Sequence, residues 1–172
     1  MGDASIVAGA FRYPRPGSLD RLRDEVALIE VGATARAMKN FLAEIGSRPL
    51  ADWEELHTDT LDLSPKFVPY VGHAVWGENY RRGAFMADMS GAMRATGVDL
   101  HGELPDHLDP ILRYIEAAAE PHPDVLEVLP QALMRMDKEL KKADKRNPYR
   151  HVLNAAQTVV EHVIETRRKA VR

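Results

Sequence analysis

Cysteine is absent from this sequence, which removes disulfides, thiolate zinc sites, iron–sulfur ligation and cysteine nucleophiles from the available chemistry. The absence agrees with a reducing cytoplasm. No stretch approaches the roughly 20 apolar residues that span a bilayer, and the opening MGDASIVAGAFRYPRPG has neither the basic start nor the long apolar run of a secretory signal. A soluble, cytoplasmic protein with no membrane insertion is expected. There is no alternating strand pattern of useful length, no internal repeat and no low-complexity tract. Neither G-x-x-x-x-G-K-[ST] nor G-x-G-x-x-G occurs, so motifs offer no nucleotide pocket. No G-x-S-x-G elbow is present either, and Ser64 and Ser90 have no adjacent base in sequence.

The 172 residues suffice for one ordinary domain with its own core, so residues 1–172 are read as a single domain. Net charge is −3, too mild to suggest nucleic acid, but it is unevenly spread. Residues 1–50 carry +1, residues 51–127 carry −10 and residues 128–172 carry +6. The acidic middle suits a basic peptide better than a phosphate backbone, while solvated acidic helix faces would give the same count.

The apolar spacing predicts helices throughout, hence an all-α fold. Ser18 precedes a 3.6-period stripe from Leu19 to Ile45, predicting one capped amphipathic helix ending near Gly46. A second helix is expected from Pro49 through Trp53, Leu56 and Thr60, and Ser64–Pro65 should start the next element. Pro69, Gly72, Gly77 and Gly83 interrupt the following segment, which is assigned short turns before a helix from about Asn79 to Thr96, with Gly97 as C-cap. Asp124–Leu129 predicts a short helix, and Pro130 begins or kinks another through Met136 and Leu140. The run KELKKADKR closes that helix with cations at its negative pole. Asn147 and Pro148 then cap a final helix reaching Thr166.

The stretch HGELPDHLDPILRYI, residues 101–115, sets a polar cluster against an apolar helix. Leu104, Leu108, Ile111, Leu112 and Ile115 recur at three- and four-residue steps. Asp109 before Pro110 reads as the N-cap, with Asp106 an earlier alternative. Carboxylates there also oppose the helix dipole. Capping leaves Glu103 and His107 unexplained.

A helical di-metal enzyme would need Glu-x-x-His twice; only Glu54–His57 fits, and His57 is expected on a helix surface. His101, Glu103 and His107 on a loop offer a weak metal set. Phe85, Met86, Met89 and Met93 form a helical stripe that suits a core and also an adaptable apolar groove. His73–Arg82, HAVWGENYRR, gathers the aromatic and arginine anchors that interfaces concentrate. Trp76 equally fits as a core plug, with Arg81 or Arg82 paired to nearby acids.

Taken together, FRYP at 11–14, TLDLSP at 60–65, HAVWGENYRRGAFMADM at 73–89, ELPDHLDPIL at 103–112 and NPYRHVL at 147–153 resemble the NarJ, TorD and DmsD family of molybdoenzyme assembly chaperones, the NarJ-type branch most closely. The resemblance implies a compact helical bundle of the TorD-like type with no catalytic activity and no permanently bound cofactor. Its implied partner is the catalytic subunit of a molybdopterin oxidoreductase such as nitrate reductase, held through its N-terminal segment while the molybdenum cofactor is inserted. Transient contact with that cofactor is part of the expectation. The implied client-binding residues are His73, Trp76, Glu78, Tyr80, Arg81 and Arg82 in one motif and Glu103, Pro105, Asp106 and His107 in the other. TorD and DmsD have another residue between the proline and the Asp-His pair, a departure that weakens the case for twin-arginine signal recognition here. The competing reading is a small helical metalloenzyme with a carboxylate and histidine site.

Overall fold

A computed structural model describes residues 1–172. Nine α-helices follow one another: α1 (Asp3–Gly9), α2 (Ser18–Val26), α3 (Gly32–Ile45), α4 (Leu50–His57), α5 (Val71–Trp76), α6 (Tyr80–Thr96), α7 (Leu108–Ala117), α8 (Pro123–Asp144) and α9 (Tyr149–Ala170). A π-helical turn, Thr58–Asp62, extends α4. The only β pairing is an isolated antiparallel bridge between Tyr70 and His107. The all-α expectation holds, and one contiguous apolar core serves a single compact domain.

The long helix α9 organises that core. It packs against α3 on one side and α8 on the other, and also touches α1 and α7. Tyr149, Val152, Leu153, Ala156, Val159 and Val160 supply its buried stripe. A short connection after Asp144 folds α8 back against it. Asn147 starts the return as expected: its Oδ1 accepts the Tyr149 N–H at 2.9 Å while its Nδ2 donates to Thr60 Oγ1 at 2.8 Å. α7 is buried along nearly its whole length, with Leu108, Ile111, Leu112 and Ile115 fully enclosed.

Several expected boundaries move, each for a physical reason. The helix predicted from Ser18 to Gly46 is broken after Val26 by tight turns, Leu28 N–H to Glu25 O and Ile29 N–H to Val26 O. The Asp3 carboxylate then accepts the Glu30 and Val31 N–H groups at 3.0 and 2.8 Å, competing with helical acceptors. Gly17, in the left-handed region at φ 85°, occupies the cap position instead of Ser18, whose Oγ accepts the Arg15 N–H. Ser64–Pro65 starts no helix: Ser64 has φ 51°, and the chain stays irregular to Tyr70. Pro130 does not divide α8, because Val125, Val128, Leu129, Ala132 and Leu133 are buried on both sides of it and packing outweighs the forfeited hydrogen bond.

The apolar spacing gives no signal for α1. Its Ala4, Ile6, Val7 and Ala8 are buried against α7 and α9. Its N-terminal N–H groups are capped from afar by Glu116, which accepts from Gly2 at 3.0 Å, Ala4 at 3.1 Å and Ser5 at 3.3 Å, and from the Ser5 hydroxyl.

Candidate functional site

Two loops converge at the N-terminus of α7. Gly97, at φ 72°, ends α6 as expected, and His101 and Gly102 turn the chain back at φ 51° and 80°. The loop is then stitched to the segment before α5, since Val71 N–H donates to Asp106 O at 2.7 Å and Leu108 N–H to Pro69 O at 3.0 Å. Asn79 caps α6 through its side chain. Both sequence motifs are thereby brought into one block.

Inside that block the polar residues pair closely. Asp106 is fully buried (0 % exposed) and receives Arg82 Nε at 2.9 Å. Arg82 stays more firmly protonated beside that carboxylate and lies over the Tyr70 ring at 5.5 Å. Gly72 packs directly beneath the pair: a Cβ there would meet Asp106 Oδ2 and Arg82 Cγ, each at 2.9 Å. Tyr70 donates to Glu103 at 2.9 Å, and burial together with that carboxylate pushes its phenol up to about 12.

His107, 5 % exposed, is the N-cap of α7, its Nδ1 accepting the Asp109 N–H at 3.1 Å. Neither Asp109 nor Asp106 is the cap. Pro110 falls where helical N–H groups have no acceptor anyway, so it tolerates a start two residues earlier than predicted. Asp109 turns inward to two arginines, Arg12 Nη2 at 2.9 Å and Arg113 Nε at 2.9 Å. Burial alone would raise its pKa, but the bonds from Arg113 and Arg12 outweigh that and hold it below the usual carboxylate range. Burial lowers His107 despite Glu103, Asp109 and Asp106 nearby, so the ring is neutral with its proton on Nε2.

His57, expected on a helix surface, is buried with Trp53 one turn before it. Its Nε2 bonds the Phe11 carbonyl at 3.1 Å, Nδ1 has no partner, and burial depresses its pKa. Trp53 Nε1 donates to Tyr149 OH at 3.1 Å. The FRYP turn is thus anchored by Phe11 on His57 and by Arg12 on Asp109.

Around that turn lie two depressions with Tyr13 in both walls. One is a cleft of about 630 Å³ between the 12–25 segment and the 101–109 segment, bordered by Arg12, Arg15, Arg21, Trp53, His101 and His107. The other is an open groove of about 790 Å³ along α4 and its π turn, bordered by Asp52, Glu54, Glu55 and Asp59 together with Leu56 and Leu63. Leu63 is 70 % exposed there, and Arg48 is the single cation lining it.

The expected client-binding residues therefore divide. His73 Nδ1 lies 3.5 Å from Glu78, which reaches Arg82 at 4.0 Å, while Tyr80 and Arg81 project into solvent. Trp76 is half-buried and packs on Phe85 with ring centroids 5.5 Å apart. Glu103 and Pro105 are half-buried, and Asp106 and His107 face inward, where their direct work is to hold the loops. Phe85, Met89 and Met93 belong to the core. Arg12, Tyr13, Arg15, Arg21 and Trp53 carry no site signal in the sequence beyond the FRYP motif.

The loop histidines and the Glu54–His57 pair form no metal-sized cluster. A group with three ligand atoms within 4.8 Å of one another lies elsewhere, at Asp88, His122 and Asp124. His122 Nδ1 already accepts the Asp124 N–H there at 3.3 Å as the cap of α8. No helix is long and apolar enough to cross a membrane. No protein-family model matches the chain, and no curated protein matches it.

Proposed function

We propose that this protein is a dedicated assembly chaperone that grips the N-terminal segment of the catalytic subunit of a molybdopterin oxidoreductase. It catalyses no reaction of its own on this reading. Contact with the molybdenum cofactor is transient, made while that cofactor is loaded into the client, and the work is done in the cytoplasm. The motif resemblance supplies the client class. The acidic groove supplies the physical support.

That groove sets four carboxylates, those of Asp52, Glu54, Glu55 and Asp59, around the apolar surface of Leu56, Leu63 and Tyr13. A short amphipathic segment with basic residues on one face satisfies both features, its apolar face meeting leucine and tyrosine while its cations meet the acids. Rim carboxylates of this kind steer and orient more than they tighten, which suits a partner that must be released. The Arg82–Asp106 pair and the bonds from the exposed Arg12 to buried Asp109 brace the block behind the FRYP turn, so the groove is presented preformed.

Affinity capture from the native host tests the reading. The wild-type protein should retain a large molybdopterin oxidoreductase subunit, and a variant carrying Asp52→Asn, Glu55→Gln and Asp59→Asn should lose it while keeping its helix content. Stoichiometric iron, manganese or zinc in the purified protein, with turnover, would instead favour the metalloenzyme reading.

A further inference from the structure

The cleft on the other side of Tyr13 holds polar groups that the chaperone reading leaves unused. Arg15 and Arg21 both line it, and neither guanidinium has an ion-pair or hydrogen-bond partner in the protein. On the facing wall, His107 offers a third donor. Its Nδ1 is committed to the Asp109 N–H, which places the proton on Nε2. That Nε2–H has no protein acceptor, although the residue is only 5 % exposed and borders the cleft. That nitrogen is not sealed off from solvent, so it is open to donate to whatever occupies the cleft.

The charges agree. The cleft is lined by the arginines Arg12, Arg15 and Arg21 and the carboxylates Glu25, Glu103 and Asp109, with Arg113 bonded to Asp109. Asp109 is shared by two of the arginines and Glu103 is occupied by the Tyr70 hydroxyl, leaving Glu25 as the one carboxylate without a partner. Two guanidiniums, Arg15 and Arg21, are therefore left against one unpartnered carboxylate, in a chain whose net charge is −3. Guanidinium groups match planar or tetrahedral oxyanions through paired N–H donors.

We propose that this cleft binds a small ligand bearing an oxyanion, phosphate or carboxylate, with Arg15 and Arg21 on the anion and His107 Nε2 donating to an acceptor of the same ligand. Because Tyr13 walls both depressions, filling the cleft bears directly on the groove beside it. The inference stands on its own residues and does not require the chaperone reading.

The full chain, ¹⁵N-labelled, is titrated at constant ionic strength with inorganic phosphate, pyrophosphate and citrate, each against sodium chloride. Saturable shifts confined to residues 12–25 and 101–109, accompanied by movement of the His107 Nε2–H resonance, are expected for at least one anion. Preference for phosphate and pyrophosphate marks a phosphate-bearing ligand, and preference for citrate a carboxylate. The Arg15→Gln/Arg21→Gln variant alters two exposed side chains and should weaken binding about tenfold or more, as loss of charge-assisted hydrogen bonds requires. Shifts no larger than those from chloride, shifts spread over all basic surfaces, or binding untouched in the double variant would each overturn the proposal.

Discussion

Replacing Asp106 with alanine tests whether the best-marked polar pair of the sequence works inside the fold or at its surface. The substitution leaves Arg82, whose side chain is 15 % exposed, without its carboxylate, and removes the acceptor packed over Gly72. Breaking a buried ion pair by deleting one partner costs about 3–5 kcal/mol. Arg82 keeps a sliver of solvent and the outer carboxylate of Glu78 at 4.0 Å, which places the loss at the low end, about 3 kcal/mol. For a chain of this length that corresponds to a melting point lower by roughly 6–12 °C. Urea unfolding followed by far-UV circular dichroism should show a lower midpoint with an unchanged slope. Asp106→Asn should cost less, and a double-mutant cycle with Arg82→Met should return a coupling of about 1–3 kcal/mol. Well below its melting point, the alanine variant should still capture its partner. A variant within about 0.5 kcal/mol of the parent and yet unable to bind would refute the reasoning and make Asp106 a contact residue.

Gly72→Ala presses a methyl group into the same pair and should destabilise the protein by about 1–3 kcal/mol despite alanine's better helix propensity, measurable as a lower urea midpoint. Glu116→Gln weakens the cap of α1 and should cost about 1 kcal/mol, with hydrogen exchange accelerated over residues 3–9 before the rest of the molecule. His57 and His107 are held neutral with pKa values below 6.5. Between that value and their lower folded values the unfolded chain binds more protons, so stability is full above about pH 6.5 and falls as pH drops through that window. Asp109, lowered by Arg113 and Arg12, adds a second loss once pH falls below about 4, where the unfolded chain takes up its proton first. Melting temperatures measured from pH 8 to pH 3 should therefore decline in two stages, and a flat profile between pH 7 and pH 5 would exclude the histidine contribution.

Much of the helical layout was legible because its signals are local. Asn79 and Gly97 bracket α6 with a side-chain cap and a left-handed residue, and Asn147 opens α9 in the same way. What escaped depends on partners far away in sequence. α1 is a seven-residue helix too short to show a period, and its cap comes from Glu116. The break between α2 and α3 is enforced by Asp3. At the site, Arg12 and Asp109 stand 97 positions apart, so nothing near either residue announces the pair. His57 did carry a hint, lying four residues after Trp53, but a histidine on an apolar face reads equally well as exposed or enclosed until its acceptor, the Phe11 carbonyl, is known.

The position of α1 also bears on how the chain comes off the ribosome. Ala4 is tied to Glu116 across 112 positions. At about 5–20 residues per second, roughly 6–20 s of translation pass before that partner is even made. Through that interval Ile6, Val7 and Phe11 have no permanent shelter, so α1 is seated well after it is synthesised, and with it the turn that walls both depressions. A nascent chain stalled before residue 108 would thus display apolar side chains that the finished molecule hides.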